Sequence, residues 1–375
     1  MNITFVNSRC IPAAPKYNQV TQKQYTTHNK IRRDKPFRSG IYAKNPMQLS
    51  TRLSHLSQEQ IVFAAAVLLS AVFIFTVPGF DTVSNFSQIL ERVTVVGILA
   101  LGASIVVIGG GLDLSQVASA MAGSGLAVLL MNTGWPISIA LLVGLLVCVA
   151  IGIINGYIIA YIEIPAFFAT LATNLVIFGV ARVLLFKSTF RLYLDDAVAD
   201  SPFFVFLSAR VFAIPVSTLL FIALVLILYG LLRHTTVGRT LYAIGDNSRT
   251  ARENGVPVRL YTIFKYTFCS IFGYIAGIVF LSTIHNIDAG VMIGTMIFDV
   301  ILIVVLGGVS LVGGRGTPFS VLLGAILIGL LLNGMTLLDL NNDLQDVARG
   351  LVLLAAIVID NRLHPRNEET ARKGE

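Results

Sequence analysis

Charge is scarce in this chain. Asp, Glu, Lys and Arg make up 13% of its 375 residues, about half of the ~25% that a soluble globular domain carries. Together with 55% hydrophobic residues, that scarcity excludes an ordinary water-soluble fold and predicts a protein whose bulk sits in lipid. Cysteine is scarce too. Cys10, Cys148 and Cys269 are an odd number without motif spacing, which argues against a disulfide framework and a thiolate metal site. The five histidines, His28, His55, His234, His285 and His364, are scattered, and no metal site is expected from them. No G-x-x-x-x-G-K-[ST] phosphate loop, H-E-x-x-H, C-x-x-C or G-x-S-x-G elbow occurs. No catalytic residue, cofactor or metal is therefore expected.

The net charge of +7 is localised. Ten basic residues between Arg9 and Arg52 precede the first apolar segment, against only Asp34 and Glu59, whereas 17 basic and 18 acidic residues follow residue 60. No basic face is left on the body to track a nucleic acid. Cationic residues are retained on the cytoplasmic side during insertion, so the basic tail predicts a cytoplasmic N-terminus. Residues 1–60 read as a disordered tail, and they lack the apolar core and cleavage site of a signal peptide.

A helical span needs about 20 apolar residues, and ten segments approach that length. They are Ile61–Pro78, Val93–Ile108, Val117–Met131, Ile137–Tyr161, Ala166–Phe186, Phe212–Leu232, Thr262–Ile284, Ile297–Leu311, Phe319–Gly334 and Val347–Ile359. The expected fold is an all-α polytopic membrane protein of about ten transmembrane helices over residues 61–360. Ten crossings return the C-terminal tail, 361–375 with Arg362, Arg366, Arg372 and Lys373, to the cytoplasm. They also place the basic loop 233–261 inside and Lys187 to Arg210 outside. Val93–Ile108 and Val117–Met131 read as a short pair, as do Ile297–Leu311 and Phe319–Gly334. VVIGGGLDLSQ from Val106 and IVVLGGVSLVGGRG from Ile303 align loosely, which predicts an internal repeat with interrupted helices. Paired interruptions suit a transporter, because unwound backbone is tolerated in a membrane only where it lines a cavity. A plain cytoplasmic turn between short tilted spans is the equal alternative.

Ionisable residues inside apolar runs are costly. Arg182 and Arg349 can snorkel to an interface, whereas the short acids Asp113 and Asp299 cannot, which makes them pathway candidates. Asn155, Asn174 and Asn333 also sit where leucine would be cheaper, as interhelical glue or as solute contacts. The G-x-x-x-G pairs Gly152/Gly156 and Gly273/Gly277 predict close helix packing.

Six stretches, in order, resemble the permease subunits of ribose-type ATP-binding-cassette importers for monosaccharides. They are GGGLDLS from Gly109, INGYIIAYIEIPAFFATLAT from Ile154, YAIGDNSRTARENGV from Tyr242, GGVSLVGGRG from Gly307 (preceded by Asp299), LLNGMTLL from Leu331 and QDVARGLVLLAAIVID from Gln345. Departures from the family's usual pattern are Gln116 and Val117 after Ser115, the acids Asp246 and Glu253, and Ile297 with Phe298 before Asp299.

The resemblance implies a subunit of the bacterial inner membrane with four kinds of partner: a cytoplasmic ATPase, a periplasmic sugar-binding protein, a second permease copy and membrane lipid. It implies a monosaccharide or polyol pathway through Asp113, Ser115, Asn155, Asn174, Asp299 and Asn333, with Phe167 and Phe168 as aromatic faces. It further implies ATPase coupling through Gly245, Asn247, Ala251, Arg252, Glu253 and Gly255. A secondary transporter driven by an ion gradient, with Asp113 or Asp299 carrying the coupling proton, is the alternative class.

Overall fold

The computed structural model describes residues 58–186 and 189–363. The chain divides into two units, Met1–His55 and Leu56–Glu375. The first lies outside the described residues, as do most of the expected basic tail and the C-terminal tail beyond residue 363. In chain order the helices begin with α1 (Gln58–Thr76), α2 (Val83–Ile108), α3 (Gln116–Asn132), α4 (Ile137–Tyr157) and α5 (Ala166–Ala181). Short helices α6 (Asp196–Ala199) and α7 (Pro202–Ser208) follow, then α8 (Val216–His234), α9 (Thr236–Asp246) and α10 (Ser248–Glu253). The chain continues through α11 (Val258–Ile284), α12 (Met296–Leu306), α13 (Pro318–Leu337) and α14 (Asn342–Leu363). Single π turns prolong α4 to Ile162 and α5 to Phe186. Among the described residues, strand is confined to two antiparallel pairs. β1 (Arg191–Tyr193) pairs with β4 (Asn286–Asp288), Arg191 opposite Asp288, and β2 (Arg210–Val211) pairs with β3 (Ile214–Pro215).

The protein is an all-α polytopic membrane protein. Among the described residues, seven helices are long and apolar enough to cross a membrane: α1, α2, α4, α5, α8, α11 and α13. Each expected apolar segment overlaps one helix, but several ends move. Val93–Ile108 is only the second part of α2. Thr82 caps a start ten residues earlier, its Oγ1 accepting from Asn85 N at 3.2 Å. Its 26 residues make α2 about 39 Å long, which corrects the expected short span. The first part escaped because Asn85, Ser87, Gln88, Glu91 and Arg92 interrupt the apolar run, and this stretch packs against protein. Phe319–Gly334 likewise grows to the 20 residues of α13, started by a capping box between Thr317 and Ser320. Helices α3 and α12 do remain short, at 17 and 11 residues. Arg210–Pro215 forms the β2–β3 hairpin, so the expected span from Phe212 begins at Val216.

Helix α2 is the buried axis, packed by α8, α11, α12 and α13. Helices α1, α4, α5 and α8 turn Leu, Ile, Val and Phe side chains outward, as helices facing lipid do. Both glycine pairs are close crossings. A Cβ at Gly152 would lie 2.6 Å from Thr267 Cα, and one at Gly277 would lie 2.8 Å from Ala120 O. The body therefore has two distinct ends. One gathers the end of α2 with α9 and α10. The other gathers the end of α3 with the β1–β4 sheet, where Asn132 Nδ2 donates to Tyr193 O at 2.8 Å and Leu194 N donates to His285 O at 2.9 Å.

Candidate functional site: an unwound segment joined to the coupling loop

Between α2 and α3 the chain unwinds through Gly109 to Ser115. Gln116 opens α3, and its Nε2 donates to Leu99 O at 2.9 Å and to Cys269 O at 3.4 Å. Leu99 lies about 13 Å, nine helical residues, before the end of α2. The chain therefore turns at the glycines and runs back into the body before α3 starts. The 17 residues of α3 add about 25 Å, and the two lengths together match α2. This segment is a stretch of irregular backbone that runs back among the packed helices before α3 begins.

Irregular backbone at this depth must find partners inside the protein, and side chains supply them. Lys265 Nζ donates to Gly109 O at 2.5 Å and Tyr266 OH to Leu112 O at 3.2 Å. Leu114 N donates to Thr170 Oγ1 at 3.1 Å, while its carbonyl accepts from Asn174 Nδ2 at 2.8 Å. Asp113 Oδ1 accepts from Ser115 N at 2.9 Å and from Ser115 Oγ at 2.6 Å. Asn155 Nδ2 donates to Ser115 Oγ at 2.7 Å. Asp113, Ser115, Asn155 and Asn174 thus converge. Asn155 Oδ1 and Asn174 Oδ1 are buried acceptors without a hydrogen bond, whereas the Asp113 carboxylate also has the Cys269 thiol beside it. Such orphans are costly, and they leave the network with acceptor capacity for a hydroxyl donor.

The other predicted pathway residues lie elsewhere. Asn333 Nδ2 donates to Asn85 Oδ1 at 2.8 Å, joining α13 to the start of α2. Phe167 and Phe168 are 47% and 63% exposed on the outer apolar surface, so they give the Asp113 network no aromatic face. Asp299 is buried beside Arg349, Oδ1 to Nε 3.3 Å. Arg349 also donates to Asp346 Oδ1 at 2.8 Å and Thr295 Oγ1 at 3.0 Å. Arg182 remains exposed, over the Phe190 ring at 4.0 Å.

The coupling residues divide into structural and presented ones. Gly245 sits where a side-chain carbon would collide with Ile108 O and Gly314 N. Gly110, at φ +73°, faces Gly245, and a Cβ at Gly313 would lie 2.9 Å from both Gly110 Cα and Gly245 O. Three backbones thus meet without intervening side chains: the GGG turn, the end of α9 and the VGGRG loop. Gly314 N donates to Ile108 O at 2.8 Å, and Tyr242 OH to Gly316 O at 2.7 Å. Burial holds the Tyr242 phenol above its usual pKa, so it stays a donor. Asn247 caps α10, its Oδ1 accepting from Thr250 N at 3.1 Å. Gly255 follows α10 at φ +81°, the left-handed conformation suited to a glycine after a helix. Ala251 is buried with Ile244 and Val258. Arg252 and Glu253 are left facing outward, the latter paired with Arg249 at 3.1 Å.

Sequence reasoning missed Lys265, Tyr266, Thr170 and Gln116. Lys265 is a cation inside an apolar run, the usual signal, but its closeness to the expected span end concealed it. Gln116 registered only as a departure from the family pattern. Its amide instead fixes where α3 begins, and Gly102 makes room for it, since a Cβ there would lie 2.6 Å from Nε2.

Fold and site together define a multi-pass membrane protein whose buried break is joined to an amphipathic end segment, the architecture of a transport permease. Residues 85–357 match the family described as "Branched-chain amino acid transport system / permease component", and the chain belongs to that family. It is 31% identical over 309 residues to the ribose import permease protein RbsC of Haemophilus influenzae, covering 81% of this chain and 94% of the relative. RbsC of Escherichia coli is 32% identical over 310 residues, 82% and 94% of the two chains. The L-arabinose transport system permease protein AraH of Escherichia coli is 34% identical over 301 residues, 80% and 88%. No solved structure matches the chain.

Proposed function

We propose that this chain is the membrane permease subunit of an importer driven by ATP, carrying a pentose or related polyol across the bacterial inner membrane. The observation that carries the reading is the near full-length similarity to permeases named for ribose and L-arabinose import. The sequence contains no phosphate loop, so ATP hydrolysis belongs to a cytoplasmic partner. A periplasmic sugar-binding protein delivers the solute, and a second permease copy completes the pathway.

In this reading all ten apolar segments cross, the two glycine-rich breaks descend from an internal repeat, and both termini are cytoplasmic. The basic tail 1–60 and the tail 361–375 flank the transmembrane domain 61–360, and loop 233–261 carries the coupling residues. Arg252 and Glu253 face the ATPase, while Gly245, Asn247, Ala251 and Gly255 keep the loop in shape. ATPase closure acts on α9 and α10, and the glycine junction passes that displacement to both breaks. Asp113, Ser115, Asn155 and Asn174 hold the moving backbone and offer acceptors to the passing solute. Asp299 lies on the pathway nearer the outside. Asn333 acts through helix contact, and Phe167 and Phe168 face lipid or the second copy.

The test is purification of the tagged chain from native membranes in mild detergent, with radiolabelled pentose uptake in parallel. The expected result is an ATPase containing a phosphate loop in near-equal amount, and uptake that follows ATP. Recovery of the chain alone, with uptake that survives ATP depletion and collapses with the ion gradient, would refute the proposal in favour of a secondary transporter.

A further inference from the structure

Three helix ends meet on the side of the glycine junction: the start of α1, the end of α8 and the start of α13. Glu59 Oε1 on α1 accepts from Thr317 Oγ1, the cap of α13, at 2.8 Å. Tyr229 on α8 meets Phe319 on α13 edge to face, with ring centroids 4.8 Å apart. Arg233 Nη1 donates to Tyr229 OH, and the guanidinium lies 5.4 Å from the centre of that ring. Arg315 is exposed two residues before Thr317. Neither arginine is ion-paired among the described residues. Gly316, next to both Arg315 and the cap, accepts from Tyr242 OH, so the cluster borders the coupling loop.

The outward apolar surface stops at this cluster. Leu226 and Ile227 on α8 and Phe63 on α1 are exposed, as on the lipid-facing helices, and Arg233 stands six residues past Ile227, about 9 Å along the helix. Apolar rows that end in aromatic rings and then arginine mark the level of the lipid headgroups. An arginine with no carboxylate there can give its planar fork to a phosphate diester. Glu59, the carboxylate of this face, is turned to Thr317. The sequence brings further positive charge to the same place. Residues 1–57, which lead into α1, hold ten basic residues against Asp34 alone, and five of the ten fall between Lys30 and Arg38. A cluster of about 4–8 basic residues beside a span attracts anionic headgroups.

Resting on the topology proposed above, we infer that this face binds the headgroup of an anionic phospholipid of the cytoplasmic leaflet. Arg233 and Arg315 take the phosphate, and Tyr229 and Phe319 lie against the glycerol and the first acyl carbons. The basic residues from Lys30 to Arg38 draw further anionic headgroups to the start of α1.

The test is native mass spectrometry of the full chain in mild detergent, comparing phosphatidylglycerol with phosphatidylcholine of the same acyl chains. Phosphatidylglycerol should bind at least tenfold tighter. Arg233→Gln combined with Arg315→Gln should cut that preference at least threefold. Lys30→Gln, Arg32→Gln, Arg33→Gln and Lys35→Gln together should lower the number of phosphatidylglycerol molecules bound. Equal affinity of the wild-type chain for the two lipids would overturn the site, and full preference in the Arg233 and Arg315 variant would overturn its placement. Displacement of phosphatidylglycerol by millimolar inorganic phosphate or glycerol 3-phosphate would overturn the lipid as ligand in favour of a soluble phosphate. Variants that keep the lipid preference but lose a co-purifying ATPase would overturn it in favour of a protein-docking surface. Cys148 and Cys269 are buried, so a membrane-impermeant maleimide reads Cys10. Labelling of Cys10 in intact spheroplasts would overturn the underlying topology, a separate result.

Discussion

Gly245→Ala separates two physical effects of opposite sign. Gly245 lies inside helix α9, where alanine is favoured over glycine by about 1 kcal/mol. The added methyl would, however, collide with Ile108 O and Gly314 N. Both are backbone atoms, in segments pinned by Lys265 and Tyr242, so neither can swing aside as a side-chain tip would. Overpacking costs about 1–3 kcal/mol, and backbone on two sides puts this site at the upper end. The net loss is about 2 kcal/mol, a shift of about thirtyfold against the state in which α9 is seated on both breaks. Gly179→Ala and Gly230→Ala are matched controls, because nothing lies within 4 Å of a Cβ at either helical glycine. The assay is ATP-dependent uptake per permease in the membrane, with stimulated ATP hydrolysis in the purified complex. Gly245→Ala should lose most uptake, and both controls should equal wild type. Wild-type uptake and stimulation in Gly245→Ala would refute the argument that backbone contact at the junction carries coupling.

Three further outcomes follow from the same geometry. Asn155→Leu removes the donor to Ser115 Oγ and should cost about 1–3 kcal/mol, read as a lower Tm in detergent; an unchanged Tm would remove Asn155 from the network. Lys265→Met strands the Gly109 carbonyl and forfeits a charge-assisted bond of about 1.5–3 kcal/mol, so uptake and Tm should both fall, and a rise in Tm would show that burying the ammonium costs more than the bond returns. Arg249→Ala breaks a pair whose side chains are 89% and 63% exposed, worth at most ~0.5 kcal/mol, and thermal stability should be indistinguishable from wild type.

The membrane class, the helical composition and most apolar segments were legible in the sequence, because lipid demands long apolar stretches and leaves few other solutions for the backbone. The limits of that rule explain the misread ends. The first part of α2 carries Asn85, Glu91 and Arg92 and packs on protein, so hydropathy does not mark it. Asp113, Asn155 and Asn174 stood out because each is a polar group where an apolar one would be cheaper, and Ser115 came with the GGGLDLS motif. The same criterion gave Asn333 and Asp299 no address, since cost alone does not say which polar groups meet. Phe167 and Phe168 form an aromatic pair beside a polar motif in the sequence, and the structure leaves them 47% and 63% exposed.

Composition and motif order determined by themselves that this is an all-α membrane protein, and they marked the glycine-rich breaks. Those properties are local, being sums or short spacings along the chain. Only the tertiary structure decided that the first break re-enters the body and that Lys265, from a segment more than 150 residues away, closes its first carbonyl. It alone brought Gly110, Gly245 and Gly313 into backbone contact, and it placed Arg349 against Asp299. Each is a pairing between distant segments, fixed by which buried donors and acceptors can satisfy one another once the helices are packed.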